Sequence, residues 1–355
     1  MIRAVEHIQA MAAYALADLG GEGTISLAQN ESAFPASSLA IDAAKTVLDQ
    51  MPLYPDPNWP DLRAAIAEVH RINPDQILCG SGSMELIGCL IRTFAGQGDR
   101  VLGTDYGYAY AASATAQVQA DYVKAREIEL KVSVDDILAN VRPETRIVFV
   151  CNPGNPTGTI IPNAEILRLR YGLPDNCLLI VDQAYAEFSD DHQGPDEIFA
   201  LTERGDTVVM RTFSKAYGLA GARVGWGYFP TAIGVEVRKL LNPNNISIPS
   251  QAMAAAAMRD QAHLRSNVEQ TAAIRDRFAE GCRVLGLFVP ESHTNFVLIR
   301  FTDSVAAQRA DEALQSAGFL MRGMGGYGLS DCLRATICSE DIMRRCLAIL
   351  EEVKA

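Results

Sequence analysis

The sequence predicts an α/β fold in which helices flank a mainly parallel, mixed sheet. Short apolar runs alternate with longer segments of helical periodicity, the pattern expected when helices pack on both faces of such a sheet. From about residue 250 the pattern changes to a long helical stretch followed by two further apolar runs. This change indicates a second, smaller α+β domain, and 355 residues suffice for two domains of about 100–200 residues each.

The helices and strands of the larger part are predicted from the pattern of apolar residues along the chain. The segment 84–94 places its leucine and isoleucine side chains on one helical face, so we expect a helix packed on the sheet. The predicted strands of this part are 76–80, 100–104, 146–152, 177–183, 207–213 and 224–229.

The last third of the chain is predicted to hold one long helix over 251–285 and strands over 295–301 and 332–338. The segment 242–250 is rich in proline and asparagine and is expected to form a hinge. We therefore predict an N-terminal arm over residues 1–30, a large domain over 31–245 and a small C-terminal domain over 246–355.

Charge and composition disfavour several classes of protein. Asp and Glu number 43 against 31 Lys and Arg, and the resulting net charge of −12 has the wrong sign for a nucleic-acid binder. No apolar run approaches the ~20 residues of a membrane helix, and the start lacks a signal-peptide layout, so a cytoplasmic location is expected. The eight cysteines form no CxxC pair, which favours reduced thiols over a disulfide framework or a metal site.

A lysine follows the predicted strand 207–213. Ser214 and Lys215 enter a glycine-bearing loop, and Arg223 follows eight residues later. A lysine beside hydroxyl groups and a second cation can be desolvated and have its pKa lowered, as an amine nucleophile requires. Lys215 is therefore a candidate for forming a Schiff base, and a solvated surface lysine is the alternative.

A carboxylate lies near the end of the predicted strand 177–183. Asp182 follows five apolar residues, where a buried carboxylate is costly unless a cation pairs with it. That cation is either a basic side chain or a pyridinium nitrogen, whose proton a carboxylate would hold so that pyridoxal phosphate (PLP) acts as an electron sink. In the second case Tyr185 could hydrogen-bond the phenolic oxygen of the ring.

Two loops carry further candidate ligands. The segment 151–158 contains two X-Pro steps, and its stiffness could direct the Asn155 amide at a ligand, although a simple turn is the alternative. In Gly80–Ser83 a predicted strand meets a predicted helix, so that backbone N–H groups and the hydroxyls of Ser81 and Ser83 could bind a phosphate. The segment 323–328 matches G-x-G-x-x-G, but a predicted strand follows it, so NAD binding is not expected.

Taken together, these segments resemble the fold-type I PLP-dependent aminotransferases of class I/II, and within that group the histidinol-phosphate aminotransferases. The matching segments run from Asn30 to Arg334 in the expected order: NES, YPDP, GSGS, NPGNPTG, DQAY, SKAYGLAGAR and LR. Several positions depart from the family pattern. The usual Asn-Glu-Asn-Pro is Asn-Glu-Ser-Ala here, and Met84 stands where an Asp is common.

The resemblance implies cofactor roles for the matching residues. Lys215 would carry PLP and later move the substrate proton, while Asp182 would pair with the pyridine nitrogen. Tyr185 and Asn155 would hold the ring oxygen. The cofactor phosphate would be bound by Ser81, Gly82, Ser214 and Arg223.

The resemblance also implies a homodimer with shared sites, because Tyr54 would reach the phosphate of the partner's cofactor. Tyr108 would stack on the pyridine ring, and the neighbouring Tyr106 and Tyr110 leave this register open.

On the substrate side, Arg334 would clamp a carboxylate through two guanidinium N–H groups. Arg322 fits the arginine that the histidinol-phosphate enzymes carry about a dozen residues earlier. Asn155 and Tyr14 are further candidates for substrate contact.

The expected reaction is reversible transfer of an amino group from a donor of the histidinol phosphate or aromatic amino acid type to a 2-oxo acid such as 2-oxoglutarate. A decarboxylase of the threonine-phosphate type is the alternative, because a few substrate contacts decide which bond breaks on the same fold. A non-catalytic PLP-sensing domain of a transcription regulator is disfavoured by the negative charge and by the lack of a basic winged-helix segment ahead of the matching region.

Overall fold

A seven-stranded sheet lies at the centre of the larger part of the chain in a computed structural model, which describes residues 2–13, 21, 23–189 and 197–354. The strands are β1 (Ile25–Ser26), β2 (Ile77–Gly80), β3 (Arg100–Thr104), β4 (Asp121–Ala125), β5 (Glu127–Ile128), β6 (Lys131–Val132), β7 (Thr145–Cys151), β8 (Leu178–Asp182), β9 (Thr207–Thr212), β10 (Gly225–Tyr228), β11 (Phe296–Arg300), β12 (Phe319–Leu320), β13 (Arg322–Met324) and β14 (Leu329–Thr336).

The α-helices of the described residues precede, separate and follow these strands. They are α1 (Glu6–Ala10), α2 (Ser38–Lys45), α3 (Pro60–His70), α4 (Ser83–Phe94), α5 (Ala109–Gln117), α6 (Val134–Asn140), α7 (Asn163–Gly172), α8 (Glu197–Ala200), α9 (Thr231–Arg238), α10 (Ile248–Arg259), α11 (Gln261–Val284), α12 (Ser304–Ser316) and α13 (Glu340–Lys354). None of them combines the length and the apolar character that crossing a bilayer requires.

The large sheet has the order β2-β10-β9-β8-β7-β3-β4. Only β10 runs antiparallel to its neighbours, and the other pairs in this sheet are parallel. All six strands predicted for this part are present, because strands buried on both faces read as continuous apolar runs. The carboxyl ends of β7, β8 and β9 lie side by side, which brings the polar residues that follow these strands to one edge.

The described residues form two large hydrophobic cores. The first contains the large sheet with α3, α4 and α10, and the second is built on β11, β14 and β13 with α11, α12 and α13. Leu27 belongs to the second core, whereas Met258 belongs to the first. Because both cores draw on residues from either side of position 245, the division into 31–245 and 246–355 stays a prediction.

The prediction of one long helix over 251–285 is wrong in one respect, because the segment forms two helices, α10 and α11. Asp260 has non-helical backbone angles (φ −86°, ψ 64°), and its carboxylate accepts from the backbone N–H of His263, which starts α11. Helix α10 begins at Ile248, inside the predicted hinge, where Ser247 caps it and Pro249 occupies its first turn. All eight cysteines are free thiols, and seven of them are buried.

Candidate active site

A cavity of about 450 Å³ lies at the carboxyl ends of β7, β8 and β9 and is closed on one side by residues of β13 and β14. It brings together most of the predicted site residues. Those that line it are Gly82, Ser83, Tyr108, Asn155, Asp182, Tyr185, Ser214, Lys215, Arg223, Arg322 and Arg334.

Lys215 follows β9 and is half-buried in this cavity. Its Nζ donates to the backbone carbonyl oxygens of Gln29 at 3.1 Å and Asn30 at 2.9 Å. Removal from bulk water, together with the positive charges of Arg334 and Arg223, lowers the pKa of Lys215 to about 7. An amine with this pKa is largely neutral in mildly alkaline solution and can act as a nucleophile or a base.

Asp182 is the last residue of β8 and is buried. Burial raises the pKa of its carboxyl group to about 6, against the opposing effects of hydrogen bonds from the backbone N–H of Ala184 and the Cys151 thiol. Within the described ranges no basic side chain forms an ion pair with Asp182. This finding favours a cationic ligand over a structural ion pair as its partner.

Tyr185 and Asn155 face the cavity from the loops after β8 and β7. The Tyr185 hydroxyl accepts from Nδ2 of Asn30 at 2.8 Å, and its ring packs edge-on against Phe296. Oδ1 of Asn155 accepts from Nη1 of Arg334 at 2.7 Å, and Nη2 of Arg334 donates to the backbone oxygen of Ala28 at 2.7 Å. Arg334 therefore links the loop after β7 to the segment before Asn30.

The start of α4 forms the predicted anion-binding loop. Gly82 has φ +77°, and a Cβ at this position would lie 2.6 Å from Nη2 of Arg223. The positive φ favours glycine at this position, and the missing side chain leaves room for the guanidinium group beside the backbone. The N-terminal N–H groups of the 12-residue helix and Arg223 together suit a dianion such as a phosphate. Ser81 borders this loop without lining the cavity, and its N–H donates to the Glu85 carboxylate.

These features fit PLP as a ligand. A buried carboxylate complements a pyridinium nitrogen, a glycine turn with an arginine complements a phosphate, and a lysine of lowered pKa complements an aldehyde. The fit rests on three independent parts of the cavity wall.

Three tyrosines predicted as site residues differ in position. Tyr108 lines the cavity, which supports it over Tyr106 and Tyr110 for the stacking position, since neither of these two is among the lining residues. Tyr54 lies on the surface, 85% exposed and away from the cavity of its own chain. Tyr14 lies outside the described residues.

Several lining residues were not predicted as site residues. Asn30 and Glu31 begin the NES segment of the family pattern, and Tyr327 lies in the glycine-rich segment 323–328. The unpredicted lining residues include Gln29, Asn30, Glu31, Cys151 and Tyr327.

The fold and this site together define a fold-type I transferase of the PLP-dependent class. Comparison with known proteins makes the assignment specific: residues 22–350 match the family described as aminotransferase class I and II, and the chain belongs to that family. The predicted family, fold class and enzyme class are thereby confirmed.

Individual relatives agree with this assignment. The histidinol-phosphate aminotransferase of Jannaschia sp. (strain CCS1) is 41% identical over 337 residues, covering 95% of this chain and 93% of that protein. That of Paramagnetospirillum magneticum (strain ATCC 700264 / AMB-1) is 40% identical over 350 residues, covering 94% of each. The crystal structure of the Sinorhizobium meliloti histidinol-phosphate aminotransferase, a complex with PLP, superposes with a TM-score of 0.92 at 27% identity and covers 100% of this chain and 98% of its own.

Proposed function

We propose that the protein catalyses reversible, PLP-dependent transfer of the amino group of histidinol phosphate to a 2-oxo acid such as 2-oxoglutarate. The observation that carries the proposal is the presence of Arg322 and Arg334 in the same cavity as Lys215, in addition to Arg223 beside the anion-binding loop. The relatives at about 40% identity are named for this activity, which supports the choice of donor.

Two guanidinium groups suit both substrates of this reaction. Histidinol phosphate carries a phosphate and no carboxylate, whereas a 2-oxo acid carries one or two carboxylates. Guanidinium groups bind both kinds of anion through paired N–H groups. Arg322 and Arg334 would therefore hold the donor in one half-reaction and the acceptor in the other.

The other residues of the cavity would bind the cofactor and move the substrate proton. PLP bound there supplies an electron sink for negative charge that develops at the substrate carbon. Asp182, ionised above its pKa of about 6, would hold the proton of the pyridine nitrogen. Arg223 and the start of α4 would hold the cofactor phosphate, and Tyr185 and Asn155 would face the ring oxygen. Neutral Nζ of Lys215 would remove the proton from the amine-bearing carbon of the substrate and deliver it to the aldehyde carbon (C4′) of PLP, on the other side of the amine nitrogen.

A single-turnover experiment tests the proposal. The PLP-loaded protein is mixed with histidinol phosphate, phenylalanine or O-phosphothreonine, and the loss of the long-wavelength absorbance of bound PLP is followed. We expect the fastest conversion with histidinol phosphate and formation of pyridoxamine phosphate by mass spectrometry. Faster conversion of phenylalanine would contradict the donor, and absence of PLP binding would contradict the whole proposal.

The same experiment includes the decarboxylase alternative, for which the named relatives provide no support. Release of CO2 from O-phosphothreonine, without formation of pyridoxamine phosphate, would identify that reaction. Amino transfer without CO2 release is the expected result.

We further propose a homodimer and a cytoplasmic location. Tyr54 lies among exposed apolar side chains, namely Leu48, Met51 and Leu53, which suit contact with a second chain. The free, mostly buried thiols suit a reducing compartment. Size-exclusion chromatography with light scattering tests the dimer. We expect the mass of two chains, and the mass of one chain would contradict the proposal.

A further inference from the structure

Two consecutive backbone carbonyl groups face the amine of Lys215. Those of Gln29 and Asn30 both accept from Nζ, at 3.1 and 2.9 Å. A neutral amine has two N–H bonds and one lone pair. When both N–H bonds are directed at carbonyl oxygens, the lone pair is held in the one remaining direction and is available to accept a proton.

The backbone of Asn30 makes this arrangement possible. Along an extended strand successive carbonyl groups point to opposite sides, so two neighbouring carbonyls cannot face one atom. Asn30 instead has φ +56°, in the left-handed region, where successive carbonyls point the same way as in a helix. Among residues with a side chain, asparagine enters this region comparatively readily.

Contacts from both cores hold Asn30 in this conformation. Nδ2 of Asn30 donates to the Tyr185 hydroxyl, and the Asn30 N–H donates to Oγ1 of Thr336 at the end of β14. Nδ2 of Asn295, just before β11, donates to the carbonyl oxygens of Asn30 at 3.1 Å and Glu31 at 2.9 Å. A backbone conformation of this kind persists where its surroundings fix it from several sides, and such positions cluster at functional sites.

We propose that Asn30 is a positioning residue for proton transfer, whose left-handed backbone directs the Gln29 and Asn30 carbonyl groups at Nζ of Lys215 and so orients the lone pair of the amine. This inference rests on the proposed function, because it concerns how Lys215 acts in that reaction. It assigns a function to a backbone conformation, and the asparagine side chain serves to hold that conformation.

The charges around Nζ are consistent with this role. Arg334 and Arg223 disfavour the ammonium form, Glu31 favours it, and the Tyr185 ring centroid lies 6.0 Å from Nζ. Asp182 lines the same cavity. With a pKa of about 7 for Lys215, the neutral amine needed for this arrangement predominates in mildly alkaline solution.

The test compares two substitutions of Asn30 in the full chain freed of PLP. Asn30→Gly removes the side chain but permits positive φ, whereas Asn30→Ala removes the same contacts and disfavours positive φ. The rate of covalent PLP capture is followed by absorbance as a function of pH, and the plateau above the pKa of Lys215 reports positioning of the neutral amine. We expect this plateau to fall about tenfold or more in Asn30→Ala and by no more than about threefold in Asn30→Gly.

A matched control separates positioning from stability. Gln119 is exposed, lies outside the cavity and also has positive φ (+59°), so Gln119→Ala introduces the same backbone strain elsewhere. We expect it to lower the melting temperature without slowing PLP capture. Equal capture rates for Asn30→Ala and Asn30→Gly, or slow capture by Gln119→Ala, would overturn the inference. Absence of PLP capture by the unsubstituted protein would instead contradict the proposed function.

Discussion

At the scale of single residues, Asp182 illustrates a conflict between stability and binding. Its buried carboxyl group has a pKa of about 6, above the ordinary value of 3.8, because burial disfavours the charged form. A carboxyl group whose pKa is raised on folding contributes stability that is fully present below its unfolded pKa of 3.8 and is lost as the pH rises through about 6. In the PLP-free protein at neutral pH, ionised Asp182 is therefore destabilising.

We predict that Asp182→Asn stabilises the PLP-free protein, because the amide fills the same space without a charge. A pKa difference of this size corresponds to about 2–3 kcal/mol in the free energy of unfolding at mildly alkaline pH. The gain is expected to shrink as the pH falls below 6. Denaturant unfolding of both proteins over this pH range measures it, and equal stability at alkaline pH would contradict the assigned pKa shift.

Arg334 provides a second prediction at this scale. Its two terminal nitrogens donate to Asn155 and to the Ala28 carbonyl, so a lysine in its place cannot make both contacts and also bind a substrate anion. We expect Arg334→Lys to lower kcat/KM by about tenfold to a hundredfold, as the loss of hydrogen bonds to a charged group implies. Steady-state kinetics with both substrates measure it, with Arg309→Lys on the exposed face of α12 as the control.

The residues of the site differ in how far the sequence could predict them. Asp182 ends an apolar strand and Lys215 lies three residues after another, at the sheet edge where ligands bind in open α/β folds, so local sequence indicates both residues. Asn30 could not be recognised in the same way, because neither the sign of its φ nor its contacts with Thr336 and Asn295, about 300 residues away, can be read from a local pattern.

At the scale of elements, the break between α10 and α11 depends on one residue. Asp260 caps α11 by accepting from the His263 N–H and also accepts from the Ser37 hydroxyl next to α2. We predict that Asp260→Ala lowers the free energy of unfolding by about 1–2 kcal/mol, which is the usual contribution of an N-cap carboxylate.

The matched variant Asp260→Asn keeps a capping oxygen and should recover most of that loss. Thermal and denaturant unfolding measure both variants. An unchanged stability in Asp260→Ala would contradict the capping role, and the rate of PLP capture should be the same in all three proteins because Asp260 does not line the cavity.

Elements were predictable where burial is complete. Strand β8 is buried throughout and appears as a continuous apolar run, whereas the edge strand β4 has exposed Asp121 and Lys124 on either side of two half-buried residues and was not predicted. Strands β1 and β12 have only two residues each, which is too short to give a recognisable pattern. They also pair with each other across almost the whole chain, which no local pattern indicates.

At the scale of the whole molecule, the cavity depends on how the chain passes between two cores. The segment after β1 passes from the second core to the cavity. There the Gln29 and Asn30 carbonyl oxygens accept hydrogen bonds from Lys215, which follows β9 of the large sheet. This segment also contacts β14, because Arg334 donates to the Ala28 carbonyl and the Asn30 N–H donates to Thr336. A site assembled in this way responds to any relative movement of the two cores, and the distances from Arg334 to Asn155 and from Asn30 to Tyr185 would report such movement.

The largest scale is the proposed homodimer, in which Tyr54 of one chain would serve the site of the other. Co-expression of Lys215→Ala and Tyr54→Ala chains tests this arrangement. Each variant alone is expected to have little activity, because every site lacks one residue. In a mixed dimer one site lacks both residues and the other lacks neither. Random pairing makes half of the dimers mixed, so the mixture should regain about one quarter of the wild-type activity. If Tyr54 served its own chain, every site would still carry one defect, and co-expression would restore nothing.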